Sequence, residues 1–263
     1  MPIENFFTET IPHVVGGIMK VLSRNDLEDI GDRIIKEYKR LPKIAGQPFE
    51  RVDIDYLVEM MLGLHIDYRC LSLDGERIGL TSSCEIGVEV FPSDPMCTEE
   101  IYYMLDGKTI LIDESLIRAG ANVGRRNYTV SHEGCHHILR VLFPEKYGPQ
   151  ARERKVHCCY RCSRGTADWE EWQVETLAGI ILLPRECIEH NMRALGLGTK
   201  LRLLNRVFAP QEYHRFERMA SVMGASKTAL SIRMMQLGLI ERNDLKDPYA
   251  LVRVEMDKEE TAV

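Results

Sequence analysis

Between residues 24 and 41 apolar side chains return every third or fourth position. Leu27, Ile30, Ile34 and Tyr38 share a face, which predicts an amphipathic helix. A second helix is expected after Pro48, with Val52, Ile54, Leu57 and Met61 turned inward. The period then shortens. Alternating or β-rich runs at 65–70, 86–91 and 100–112 predict strands, the last folding about Asp106-Gly107 as a hairpin. Helical spacing resumes with Val130, Ile138, Leu139 and Leu142, where Asn127 is the expected N-cap and Phe143-Pro144 the stop. A further helix, acidic at its start and apolar in its later half, runs from Asp168 to its closure at Pro184. Residues 218–233 have the pattern of a helix-turn-helix, with Gly224 in the turn and Ser226 capping the second helix.

These elements predict an α+β fold. The expected divisions are an N-terminal helical segment over 1–48, a core over 49–195 and a helical, helix-turn-helix-like appendage over 196–243. A tail over 244–263 follows, whose end from Asp257 is expected to be disordered. A chain of 263 residues that is 44% hydrophobic can bury a core of this kind. Its net charge of −6 argues against a generalised nucleic-acid binder. Residues 200–242 run the other way, at +5 from eight basic and three acidic side chains, yet direct DNA binding is not the expectation. No 18-residue apolar run suggests a membrane span, and Glu4 and Glu9 sit where a signal peptide would be apolar, so a cytoplasmic protein is expected.

The most specific chemistry is His132-Glu133-Gly134-Cys135-His136, an H-E-x-x-H inside the helical run. Residues four apart share a helix face, about 6 Å apart along the axis, so both imidazoles can reach one metal ion. Glu133 lies where it can take a proton from water on that ion. Gly134 costs about 1 kcal/mol in a helix relative to alanine, which makes sense if something must approach closely there. A catalytic zinc site needs a third protein ligand. Glu171 and Glu175, four apart on the later helix, are both in position to supply it, although carboxylates are also favoured near a helix N-terminus by its dipole.

H-E-x-x-H followed by E-x-x-x-x-x-x-A-x-x-x-L-x-P resembles the ImmA/IrrE family of bacterial and phage metallo-endopeptidases. Arg125–Ser131 is similar to that family's lead-in to the zinc helix, and Asp106–Ile112 to its preceding hairpin and strand. The resemblance covers roughly residues 49–240. It implies a zincin-like metallopeptidase domain with a small antiparallel sheet against the H-E-x-x-H helix. It further implies that His132, His136 and Glu171 hold zinc, with manganese as the alternative, and that Glu133 is the general base. The implied substrate is a protein, such as a helix-turn-helix repressor of a mobile element or stress regulon. Departures include Leu177 where many members carry Phe, Glu175 where Asn is usual, and Cys135 beside the ligand His136.

Two features remain open on sequence grounds. The donor that assists at the oxyanion could be Tyr102, Tyr103, His157 or Tyr160. Eight cysteines in a leaderless chain are expected as reduced thiols, with Cys70, Cys84, Cys97 and Cys187 scattered. The basic, cysteine-rich stretch near 146–166 reads as a surface insertion. Its His157, Cys158, Cys159 and Cys162 form a candidate second metal set, although no second C-x-x-C completes it.

Overall fold

The computed structural model describes residues 22–94, 96, 98–148, 150, 155–161 and 168–252. Cys97, Cys162, Glu4, Glu9 and the segment from Asp257 lie outside the described residues. Contacts divide the chain into two units, Met1–Gln47 with Val52–Leu182, and Pro48–Arg51 with Leu183–Val263. The contact division falls after Leu182, and the helix over Arg24–Tyr38 lies in the first unit.

In the first unit, α1 (Arg24–Tyr38) begins at a capping box in which Ser23 and Asp26 satisfy each other's backbone N–H, and it buries Leu27, Ile30, Ile34 and Tyr38 as their spacing requires. The second helix is short. Asp53 caps α2 (Ile54–Tyr56), which continues as a single π-type turn over Leu57–Met61. The long helix α3 (Val123–Leu142) starts one turn earlier than Asn127 suggests. Asn122 is the N-cap, accepting from the Arg125 N–H at 3.1 Å, whereas Asn127 lies inside the helix and accepts from the Arg126 guanidinium. After the short α4 (Pro144–Tyr147) comes α5 (Trp169–Leu182). Val174, Leu177, Ala178, Ile180, Ile181 and Leu182 bury it nearly all round, because it packs against both α1 and α3.

Among the described residues six strands complete this unit: β1 (His65–Arg69), β2 (Arg77–Ser82), β3 (Glu85–Val90), β4 (Ile101–Asp106), β5 (Thr109–Asp113) and β6 (Val156–Tyr160). The sheet beside α3 has the order β1-β5-β2-β6 and is mixed rather than antiparallel, since β1 pairs parallel to β5. The expected hairpin about Asp106-Gly107 does not form. Both edges of β5 are taken, by β1 and β2, so β4 pairs with β3 in a separate two-stranded sheet. The turn is a corner between sheets. Asp106 holds it by accepting from the N–H groups of Lys108 and Thr109 at 2.8 and 2.7 Å.

Register decides what each face of the mixed sheet carries. Leu80 stands beside Leu111 and Cys158, and these three join Leu71, Val88, Val90 and Leu105 in one apolar cluster. The intervening positions, Gly79 beside Ile112 and Cys159, and Thr81 beside Ile110 and His157, therefore lie on the opposite face. Helix α3 packs against β2, β5 and β6.

In the second unit, α6 (Arg185–Ala194), α7 (Pro210–Val222) and α8 (Lys227–Gln236) are joined by a feature the sequence reading lacked. A two-stranded parallel sheet forms from β7 (Leu201–Leu204) and β8 (Ile240–Asn243), so this region is not purely helical. Gly224 takes φ +62° between α7 and α8, and Ser226 caps α8 by accepting from the Ala229 N–H at 3.0 Å. Several of the basic residues here have internal partners. Arg233 is 3% exposed and donates to the Leu183 carbonyl, Lys227 pairs with Glu217, Arg242 with Asp244 and Lys200 with Glu241. No helix among the described residues is long and apolar enough to cross a membrane.

Candidate metal centre

Helix α3 carries His132, Glu133 and His136 on a stretch buried without interruption from Thr129 to Leu139. Its place against the sheet depends on small residues at two contacts. A Cβ at Gly79 would lie 2.5 Å from Glu133 Oε1 and 2.7 Å from Thr129 Cγ2. A Cβ at Gly134 would come within 3.2 Å of Val58 and 3.3 Å of Leu62, so the close approach that justifies a glycine in mid-helix is made by the turn following α2.

Helix α5 is pinned alongside by two side-chain hydrogen bonds. Ser131 Oγ donates to the Ala178 carbonyl at 3.1 Å and Tyr128 Oη to the Glu175 carbonyl at 3.2 Å. This brings Glu171 to the imidazoles. Its Oε2 lies 3.4 Å from His132 Nε2 and 3.7 Å from His136 Nε2, and one ligand atom from each residue falls within 4.8 Å of the others. Glu175, the alternative ligand expected from the same helix, is exposed and joins no such group among the described residues.

The donor set fits a cation. Neither ring nitrogen of His132, a residue 3% exposed, has a hydrogen-bond partner. Buried polar atoms are paired in the great majority of cases, so a buried imidazole without a partner calls for an ion or a water. Burial opposes ionisation of Glu171, but the imidazoles of His132, His157 and His136 outweigh it and hold the carboxyl well below the usual carboxylate range. Glu133 is fully buried and stands with His132 and Cys159 in a second compact group. Burial first, and then the carboxylates of Glu133, Glu171 and Glu175, push the Cys159 thiol well above its ordinary range.

The third histidine of the run points elsewhere. His137 Nδ1 meets Arg140 at 2.7 Å, and burial, with Arg140 and Lys108, lowers its pKa to about 4. Arg140 also donates to the carbonyls of Ser82 and Gly107 at 2.6 and 2.8 Å, tying the end of α3 to the corner between the two sheets.

The cysteine-rich stretch holds the principal surprise. Part of it is β6, which pairs with β2, and alternation splits the candidate second metal set. Cys158 joins the apolar cluster on one face, while His157 and Cys159 reach the α3 side. His157 is 5% exposed, with its ring centroid 4.2 Å from that of His136, and forms a third compact group with His136 and Glu170. Of the four oxyanion-donor candidates, only His157 is in this pocket. Tyr102 is 71% exposed on β4, Tyr103 donates to Asp67, and Tyr160 alternates onto the same side of β6 as Cys158. Glu170, 8% exposed, has no sequence signal beyond that of a carboxylate favoured by the helix dipole, and the proximity of β6 is what brings it to this pocket.

The structure thus brings together two histidines from one helix, a carboxylate from a second and a buried glutamate between helix and sheet. Compared with protein-family models, with curated proteins and with solved structures, the chain matches none.

Proposed function

We propose that this chain is a metal-dependent endopeptidase, holding zinc or manganese through His132, His136 and Glu171 with Glu133 as general base. The observation that carries the reading is the arrival of Glu171 at 3.4 and 3.7 Å from the two H-E-x-x-H imidazoles, with the Glu133 carboxylate buried beside them. A divalent ion bound there supplies Lewis acidity, making water nucleophilic near neutral pH and polarising a carbonyl.

The chain's own residues supply the rest. His132 and His136 are held at helical spacing by a buried helix, so little reorganisation is needed to receive the ion. Glu133 accepts the proton of the attacking water at a carboxylate oxygen and delivers it to the leaving amine. Gly79, by lacking a side chain, leaves the space that carboxylate occupies. The resemblance to ImmA/IrrE peptidases supports a protein substrate, and we infer a helix-turn-helix repressor.

The test compares the unaltered chain, Glu133→Gln and His136→Ala, each purified without chelator. Metal content is measured, followed by incubation with a helix-turn-helix repressor encoded nearby and mass spectrometry of the products. We expect metal and cleavage in the unaltered protein, metal without cleavage in Glu133→Gln, and less metal with no cleavage in His136→Ala. Cleavage by Glu133→Gln at the normal rate removes the general-base assignment, and absence of metal from the unaltered protein removes the reading.

A further inference from the structure

We propose that the buried pocket takes two divalent cations, the second held by His157, Glu170 and Glu171 beside the first. This inference rests on the metal site proposed above, because Glu171 serves both ions.

The geometry at His157 points to it. His157 Nδ1 lies 3.9 Å from Glu170 Oε1 and 3.9 Å from Glu171 Oε1. Those separations are too long for hydrogen bonds, and Nδ1 is buried without a hydrogen-bond partner. They suit two ligands of a common ion, which at metal–ligand distances of about 2.0–2.2 Å stand roughly 3–4 Å apart. Three elements supply the pocket: His136 from α3, His157 from β6 and Glu170 from α5 place ligand atoms within 4.8 Å of one another.

Glu171 presents its two oxygens to two different places. Oε2 faces His132 and His136, while Oε1 faces His157. A carboxylate so placed bridges two ions, and bridged pairs in hydrolytic sites stand about 3.5–4 Å apart. The nitrogen and oxygen donors suit zinc or manganese.

The test uses the full chain, stripped with chelator, reloaded with Zn2+ alone and desalted, with zinc per chain read by mass spectrometry. We expect about two ions per unaltered chain and about one in both His157→Ala and Glu170→Gln. Reloading with Mn2+ gives a readout independent of activity: a spin-coupled pair in the unaltered protein and an isolated-ion spectrum in the variants. Circular dichroism confirms folding, and the near-isosteric Glu170→Gln covers the case in which His157→Ala unfolds. One ion in the unaltered chain overturns the second site while leaving the proposed peptidase standing, whether or not His157→Ala keeps that ion. Two ions in both folded variants also overturn it, and no ion in any chain overturns both proposals.

Discussion

Gly79 lies directly against Glu133: a Cβ on the strand residue would sit 2.5 Å from the helix residue's Oε1. The carboxylate therefore occupies space that any other residue at position 79 would contest. Gly79→Ala should displace Glu133 or push α3 off the sheet, with Thr129 Cγ2 at 2.7 Å blocking the nearest escape. Overpacking of this kind costs about 1–3 kcal/mol. Thermal denaturation should show the loss, and hydrolysis should fall further than metal content. Unchanged stability and activity would mean that the helix retreats without consequence.

The two hydrogen bonds between α3 and α5 set the distance from the imidazoles to Glu171. Ser131→Ala should destabilise the first unit by about 1 kcal/mol in denaturant unfolding. Combined with Tyr128→Phe, which removes the bond to the Glu175 carbonyl, it should weaken metal affinity more than a distant substitution of equal stability cost. Equal affinities at matched stability would show that packing alone positions Glu171.

Arg140 bonds two backbone carbonyls that lie on different sides of the corner between the sheets. Arg140→Met keeps much of the volume and removes both bonds. The expected cost is on the order of 3 kcal/mol, because charge-assisted bonds to buried carbonyls are lost together. A loss under about 0.5 kcal/mol, the usual range for surface substitutions, would contradict this role.

Metal removal should be visible in stability. An ion that binds only the folded chain contributes about 2.7 kcal/mol when present at a hundredfold excess over Kd. Scanning calorimetry with Zn2+ and with chelator should therefore give a higher Tm for the loaded protein, and His136→Ala should shrink the difference. A ligand-independent Tm would count against a site linked to folding.

Acid sensitivity should be traceable in part to Asp106. Burial raises its carboxyl, but backbone and hydroxyl donors at Lys108 and Thr109 prevail and hold it below its ordinary value of 3.8. A depressed folded pKa means that Asp106 stabilises the fold above 3.8, and that this contribution is lost as pH falls through the folded value. Asp106→Asn keeps an acceptor oxygen and removes the titration. Its Tm should fall less steeply than that of the unaltered protein below about pH 4, and parallel curves would refute the assignment.

How much of this was legible depended on whether the signal was local. The α1 stripe, the H-E-x-x-H helix and the Ser226 cap each follow from residues within a few positions of one another, so spacing alone exposed them. Strand β2 escaped because Gly79 interrupts its apolar run, although that glycine is what admits Glu133. Strand β6 escaped because a histidine and cysteines at its centre look like chemistry on a loop, while Val156 and Tyr160 at its ends were the only strand signal.

Period and spacing, then, determined that two imidazoles and a glutamate would share one helix, and that a carboxylate helix would follow. Which of Glu171 and Glu175 lies near the histidines came from helix packing, which turns the first toward them and leaves the second exposed. The partners of β5 and the arrival of His157 beside Glu170 came from strand pairing between segments far apart in the chain. Such pairings depend on competition for hydrogen-bonding edges and on a register in which a one-residue slip exchanges the two faces, and no local pattern encodes either.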